Sequence, residues 1–173
     1  MAALQLFSEQ GYDETTVAQI AERSGVTSST FHRHFPDKRD ILAAGQEALS
    51  RLLAEGIAEA PIGASPLDAV ADGLTRAASL YEPERSALVA AAVAASTELQ
   101  ARAALQQVGT TAAMAEALVA RGVAVTLARL AAEVGALALK GGFAAWIAGG
   151  TDQDLAALMR DELNRLRTTA AQL

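Results

Sequence analysis

The chain has 173 residues, of which 51% are apolar but only 4% aromatic, and a formal net charge of −6. This length suits one compact domain or a small module joined to a larger one. A core with so few rings must be filled by Ala, Leu and Val packed between close helices, so the expected fold class is all-α. The lack of cysteine excludes a disulfide framework, thiolate catalysis and Cys-based zinc sites. The opening MAALQLFSEQ lacks the basic start and long apolar run of a signal peptide, and charges are expected to interrupt the later apolar stretches before the ~18 residues of a bilayer span. The expectation is a soluble, cytoplasmic protein with no membrane association and no cofactor.

Leu4, Leu6 and Phe7 followed by Gly11 predict the end of an amphipathic helix closed by a glycine in the left-handed conformation. Thr16 with Gln19 three residues on predicts a capping box; the helix it opens has Val17, Ile20 and Ala21 on one face and stops at Gly25. Thr27 or Ser28 caps a short third helix ending near Phe35. Pro36-Asp37 opens a fourth, with Asp37 as N-cap and a stripe of Ile41, Leu42, Leu49, Leu52, Leu53 and Ile57, running to Pro61. Ser65-Pro66 and Glu82-Pro83 place prolines at first helical positions, Thr97-Glu98 begins another segment, and Gly122 and Gly149-Gly150 are breakers, giving about five further helices. The expected boundary falls inside the fourth helix: a head over 1–45 and a larger helical domain over 46–173.

Ala21 followed four positions later by Gly25, with Ile20, Val26 and Phe31 around them, is the spacing of a helix-turn-helix. Two helices crossing steeply need a small side chain at the contact and a glycine in the turn, with the apolar trio as a mini-core beneath. The outer face of the second helix then carries Thr27, Ser28, Ser29, His32 and Arg33, all hydrogen-bonding types, while Phe31 and Phe35 point inward. The acidic balance opposes DNA binding in bulk. Locally, Arg33, Lys38 and Arg39 stand against Asp37 alone, with His32 and His34 beside them.

GYDETTVAQIA, the SGV turn, TFHRHF and PDKRDIL, in this order between Phe7 and Leu42, closely resemble the DNA-binding domain of the tetracycline-repressor (TetR) family. The resemblance implies a three-helix head on a larger ligand-binding and dimerisation domain. It places Ser28, Ser29 and Arg33 at base edges, and Thr16, His32, His34 and Lys38 on phosphates of double-stranded operator DNA. Two departures stand out. The family usually has Tyr at the positions of His32 and His34, which makes those contacts pH-dependent, and the first turns of the family's opening helix, often basic, are missing here.

From Leu127 a 3,4 alternation runs through Leu130, Val134, Leu137, Gly141 and Ala144 to Ala148, and a second through Val125, Ala128, Ala132, Gly135, Leu139, Gly142 and Trp146. Two apolar stripes imply two buried faces, one against the helix's own domain and one against a twin subunit. The following helix, opened by a Thr151/Asp154 capping box, adds Leu155, Leu158, Met159, Leu163 and Leu166. In the family these two helices build a four-helix dimer interface; an intramolecular hairpin is the alternative. The candidate interface residues are Leu127, Leu130, Val134, Leu137, Leu155, Met159, Leu163 and Leu166. Candidate effector contacts are Arg76, Tyr81, Arg85, Gln100, Arg102, Thr110 and Trp146. The segment Ser96–Arg102 with the later FAAWIAGG is similar to regulators that bind acyl-CoA-like ligands.

Both histidines lie in the head, and no GxxxxGK[ST] phosphate loop occurs, so an enzyme is not expected. The expected function is a ligand-responsive transcriptional regulator, a repressor binding a pseudo-palindromic operator as a homodimer and released by a small, largely apolar effector. The rival is a helical interaction protein whose head has little operator affinity.

Overall fold

The computed structural model describes residues 1–35 and 46–172, the side chains of His34 and Gln46 excepted; every regular element among them is a helix. In chain order these are α1 (Ala2–Gln10), α2 (Val17–Arg23), α3 (Ser28–His34), α4 (Gln46–Glu59), α5 (Pro66–Ala78), α6 (Pro83–Ala95), α7 (Thr97–Ala120), α8 (Val125–Ala148) and α9 (Leu155–Ala170). The fold is all-α, with a three-helix helix-turn-helix head and a larger helical part. The start expected at Pro36-Asp37 lies outside the described residues. Two compact units are present, one drawing on Met1–Gly45 and Glu82–Leu105, the other on Gln46–Tyr81 and Gln106–Leu173. The head is therefore not packed from the N-terminal segment alone.

In the first unit, Ala3, Leu4, Leu6 and Phe7 of α1 are buried with Tyr12, Ile20, Ala21 and Phe31, and the cluster is completed by Ala92 of α6 and Leu99 of α7. Thr16 forms the expected capping box, its hydroxyl accepting from the Gln19 N–H while the Gln19 side chain accepts from the Thr16 N–H at 2.8 Å. After α2, Gly25 takes φ 68°, its N–H donates to Glu22 O, and the Val26 N–H reaches back to Ala21 O. This paired bonding is the Schellman closure that a glycine makes at no steric cost. The closure leaves Val26 41% exposed, so the mini-core consists of Ile20, Ala21 and Phe31 without it. Gly11 also has positive φ, 88°, a region open to glycine, but its ψ of 158° lies outside the left-handed helical basin expected for the cap of α1.

In the second unit, Leu53 and Ile57 of α4, Val70 and Leu74 of α5, Met114 and Leu118 of α7, Ala128, Ala132 and Trp146 of α8, and Met159 of α9 form one buried cluster. Ser65 caps α5 with Pro66 in the first turn. The cap of α9 is Asp154, which accepts from the N–H groups of Ala156 and Ala157; Thr151 lies in the preceding turn, so the expected capping box is not formed. The carboxylate two and three residues ahead of those amides satisfies them directly, leaving Thr151 no orphan donor to serve. Arg121 donates to the carbonyls of Ala58, Ala60 and Pro61 at 2.9 to 3.0 Å, answering the acceptors that the end of α4 leaves open.

α8 is long and apolar enough, by length and composition, to cross a membrane, contrary to the expectation that charge interrupts every such stretch. Arg129, Glu133 and Lys140 are too sparse to break it. In this fold its small residues instead let neighbours approach. A Cβ added at Gly142 would lie 2.6 Å from Met159 Cα, whereas one at Gly141 would meet only the Glu162 side chain, at 2.8 Å. Gly142→Ala should therefore lower stability by ~1–3 kcal/mol through overpacking. Gly141→Ala should be neutral or stabilising, because the flexible carboxylate can move and alanine favours the helix by up to ~1 kcal/mol. Chemical denaturation of both variants checks this; equal losses would refute the packing account.

Candidate functional site

α3 carries the first candidate surface. Ser28, Ser29, His32 and Arg33 are all exposed and sit at i, i+1, i+4 and i+5, which is one face of a helix. The opposite face holds Phe31, 7% exposed and stacked on Phe35 with ring centroids 5.3 Å apart. Thr27 caps the helix, accepting from the Thr30 N–H at 3.2 Å. The polar face is thus presented outward by a helix whose other side is anchored in the core.

The charges nearby divide into committed and uncommitted groups. Arg23 makes a two-pronged ion pair with Glu9, at 3.1 and 2.9 Å, joining the end of α2 to the end of α1; the same guanidinium holds the Glu9 carboxyl below its ordinary range. Arg33 has no ion-pair partner among the described residues. Thr16 is exposed, but its hydroxyl donates to Gln19 Oε1 at 3.0 Å, an oxygen that also accepts from Gln10. A Thr16 contact to a phosphate therefore competes with its own cap. Lys38 and the His34 side chain lie outside the described residues.

The residues expected to touch an effector are distributed over both units. In the second, Arg76 is bound to Glu55 at 3.2 Å and Glu59 at 2.5 Å, an inter-helix clamp between α5 and α4. Thr110 is buried and its hydroxyl donates to Gln106 O. The indole N–H of Trp146 donates to Gln153 O at 3.0 Å, pinning the end of α8 to the turn before α9. Tyr81 lies against Phe143 at 5.3 Å, and Phe143 lies 6.1 Å from Trp146, so two candidates are joined through the first residue of FAAWIAGG. The spacing of Phe143 and Trp146, three apart on a helix, was the available signal. In the first unit Arg85 is exposed in the first turn of α6, Gln100 donates to Ala94 O, and Arg102 is half-buried with a partner.

α8 separates its two stripes by burial. Ala128, Ala132, Gly135, Gly142 and Trp146 face the unit's own core. Leu127, Leu130 and Leu137 are 49%, 62% and 51% exposed, with Val134 half-buried. On α9, Leu155, Met159 and Leu163 are buried within the same unit and Leu166 packs at its edge. Within the described residues of this chain nothing covers that strip.

Burial pushes the Tyr81 phenol up from its ordinary 10.0 to about 12. The fold favours the neutral phenol, so its contribution is whole below pH 10 and lost as pH rises through about 12. Stability of the wild type should fall more steeply across that window than that of Tyr81→Phe, as followed by urea denaturation at stepped pH. Matching alkaline profiles would remove Tyr81 as the titrating group.

Residues 1–44 match the family described as bacterial regulatory proteins, tetR family. Among curated relatives, the HTH-type transcriptional regulator TcmR of Streptomyces glaucescens is 40% identical over 68 residues, 39% of this chain and 30% of that one. HbdR of Aromatoleum sp. (strain CIB), likewise an HTH-type transcriptional regulator, is 51% identical over 41 residues, 24% of this chain and 18% of its own. The chain thus spans less than a third of either relative. Two solved structures share the fold over most of the chain. FadR of Thermus thermophilus, a TetR-family repressor in complex with lauroyl-CoA, has a TM-score of 0.59 at 24% identity, covering 95% of this chain and 89% of that one. FadR of Bacillus subtilis in complex with stearoyl-CoA has a TM-score of 0.63 at 22% identity, covering 95% and 94%.

Proposed function

We propose that this chain, whose residues 1–44 match the tetR family of bacterial regulatory proteins, is a ligand-responsive transcriptional repressor acting as a homodimer on a pseudo-palindromic operator. The observation that carries the proposal is the α3 face: Ser28, Ser29, His32 and Arg33 exposed together on a helix anchored by Phe31. A recognition helix in the major groove needs hydrogen-bonding side chains on one side and a fixed seat on the other. Ser28, Ser29 and Arg33 read base edges, with the Arg33 guanidinium, unpaired among the described residues, suited to a guanine. His32 and, by resemblance, His34 and Lys38 hold phosphates; Thr16 joins them when its hydroxyl turns from Gln19. The DNA-binding part is residues 1–45, and residues 46–173 hold the effector and dimer functions.

A second copy covers the strip of Leu127, Leu130, Val134 and Leu137, with Leu166 at its edge. Leu155, Met159 and Leu163 support that surface from behind, inside their own unit. Two recognition helices then stand at a separation set by the dimer, and an effector that favours one separation shifts the population between bound and released states. The effector is apolar in its larger part, in keeping with the Ala- and Leu-rich second unit and with the lauroyl-CoA and stearoyl-CoA held by the two FadR proteins.

Selection from a random duplex pool at moderate salt, using the full chain, tests the reading. A palindromic consensus should emerge, and Arg33→Ala should lose ~1–3 kcal/mol of binding together with discrimination at one base position. Affinity should also fall steeply with salt as counterions are released. A folded protein that enriches no sequence would overturn operator binding in favour of a helical interaction protein.

A further inference from the structure

The exposed side of α8 has a centre and two edges. Leu130, Leu137 and Ala144, seven apart, run along its middle and are all exposed. One edge, Leu127, Val134 and Gly141, leans toward α9, where the Glu162 carboxylate, paired with Arg165, lies over Gly141. The other edge carries Glu133 and Lys140, also seven apart, both exposed and, among the described residues, without ion-pair partners. One carboxylate and one ammonium two turns apart on the same edge form a self-complementary pattern.

The symmetry of two identical helices decides how such an edge can be used. When a two-fold axis runs along the helices, each edge faces the opposite edge of the other copy. Glu133 would then stand against the apolar edge of Leu127 and Val134 in the other copy, where α8 offers no cation to meet it. When the axis runs across the helices, like edges meet in antiparallel order, and residues whose numbers add to a constant stand opposite one another. Glu133 meets Lys140 of the second copy if the axis passes between residues 136 and 137. The same register puts Leu137 beside the axis, next to its own copy, and Leu130 opposite position 143, one residue from the exposed Ala144. Each charge lies only about 5 Å along the helix from the axis, close enough that a moderate crossing angle leaves the pair within reach.

We propose that, in the dimer described above, the two α8 helices cross antiparallel beside Leu137, with Glu133 of each copy paired to Lys140 of the other as the determinant of register and of partner choice. The inference rests on the dimer reading and adds its geometry. The edge charges contribute selectivity more than strength, since polar pairs at such edges set orientation while the apolar middle supplies the attraction.

Charge exchange tests it with surface residues that the fold does not need. E133K alone and K140E alone should each raise the dimer dissociation constant of the full chain by about tenfold at low salt, and E133K/K140E should restore it, since two half-exposed pairs per dimer are reversed and then rebuilt. Arg129, one turn before Glu133, is unchanged in every variant and cancels in the comparison. In a subunit-exchange mixture of wild type with mass-labelled E133K/K140E, native mass spectrometry should find mixed dimers at about a tenth of the total against the statistical half. Raising the salt should bring them back toward one-half. Mixed dimers at one-half at low salt would overturn the register while leaving the dimer standing. A wild type that is monomeric across the accessible concentrations would overturn the dimer reading, and this inference with it.

Discussion

At Gly135 and Gly142, α8 comes closer to its neighbours than any side chain would allow, and the second unit is arranged around those approaches. A Cβ at Gly135 would lie 2.6 Å from Val70 Cγ1, and one at Gly142 would fall on the backbone of Met159. A similar near-contact joins α4 to α5, where a Cβ at Gly56 would stand 2.7 Å from Gly73 Cα. A chain with few rings has little volume with which to hold helices apart, so it gains its packing density by bringing backbones together. Because glycine and alanine fill one side of α8, its leucines are left for the other, and the uncovered strip follows from the same constraint as the core.

The head depends on a different arrangement. Its own segment contributes Phe7, Tyr12, Ile20 and Phe31, yet the cluster closes only with Ala92 and Leu99, which lie far along the chain. The helix that packs against α1 is α6, so the head that carries α3 is held in part by an element outside the DNA-binding segment. Movement within α6 therefore reaches the support of α3 through α1 and α2.

Local signals were the most legible in the sequence. The Thr16 and Ser65 caps and the Schellman glycine Gly25 depend on neighbours within a few residues, and each is where its pattern placed it. Val26 misled because apolar character suggested burial, whereas the geometry of the closure turns that position outward. Thr151 lost the cap of α9 to Asp154, whose carboxylate reaches two amides from the adjacent position. Periodicity showed that Leu155, Met159 and Leu163 share a buried face but could not say against what; the face belongs to their own unit. Arg76, a candidate effector contact, is paired with Glu55 and Glu59 on another helix, and no local pattern announces a contact across 17 to 21 positions.

Trp146 is the chain's single tryptophan, buried, with its indole N–H held by the Gln153 carbonyl at the α8–α9 turn. That placement makes it an optical reporter for one unit alone. Its emission records solvent entry at the α8–α9 turn, while the circular dichroism of the backbone sums over every helix. Where the two signals part company during denaturation, the units come undone separately, and the protein's cooperativity can be read without attaching a label.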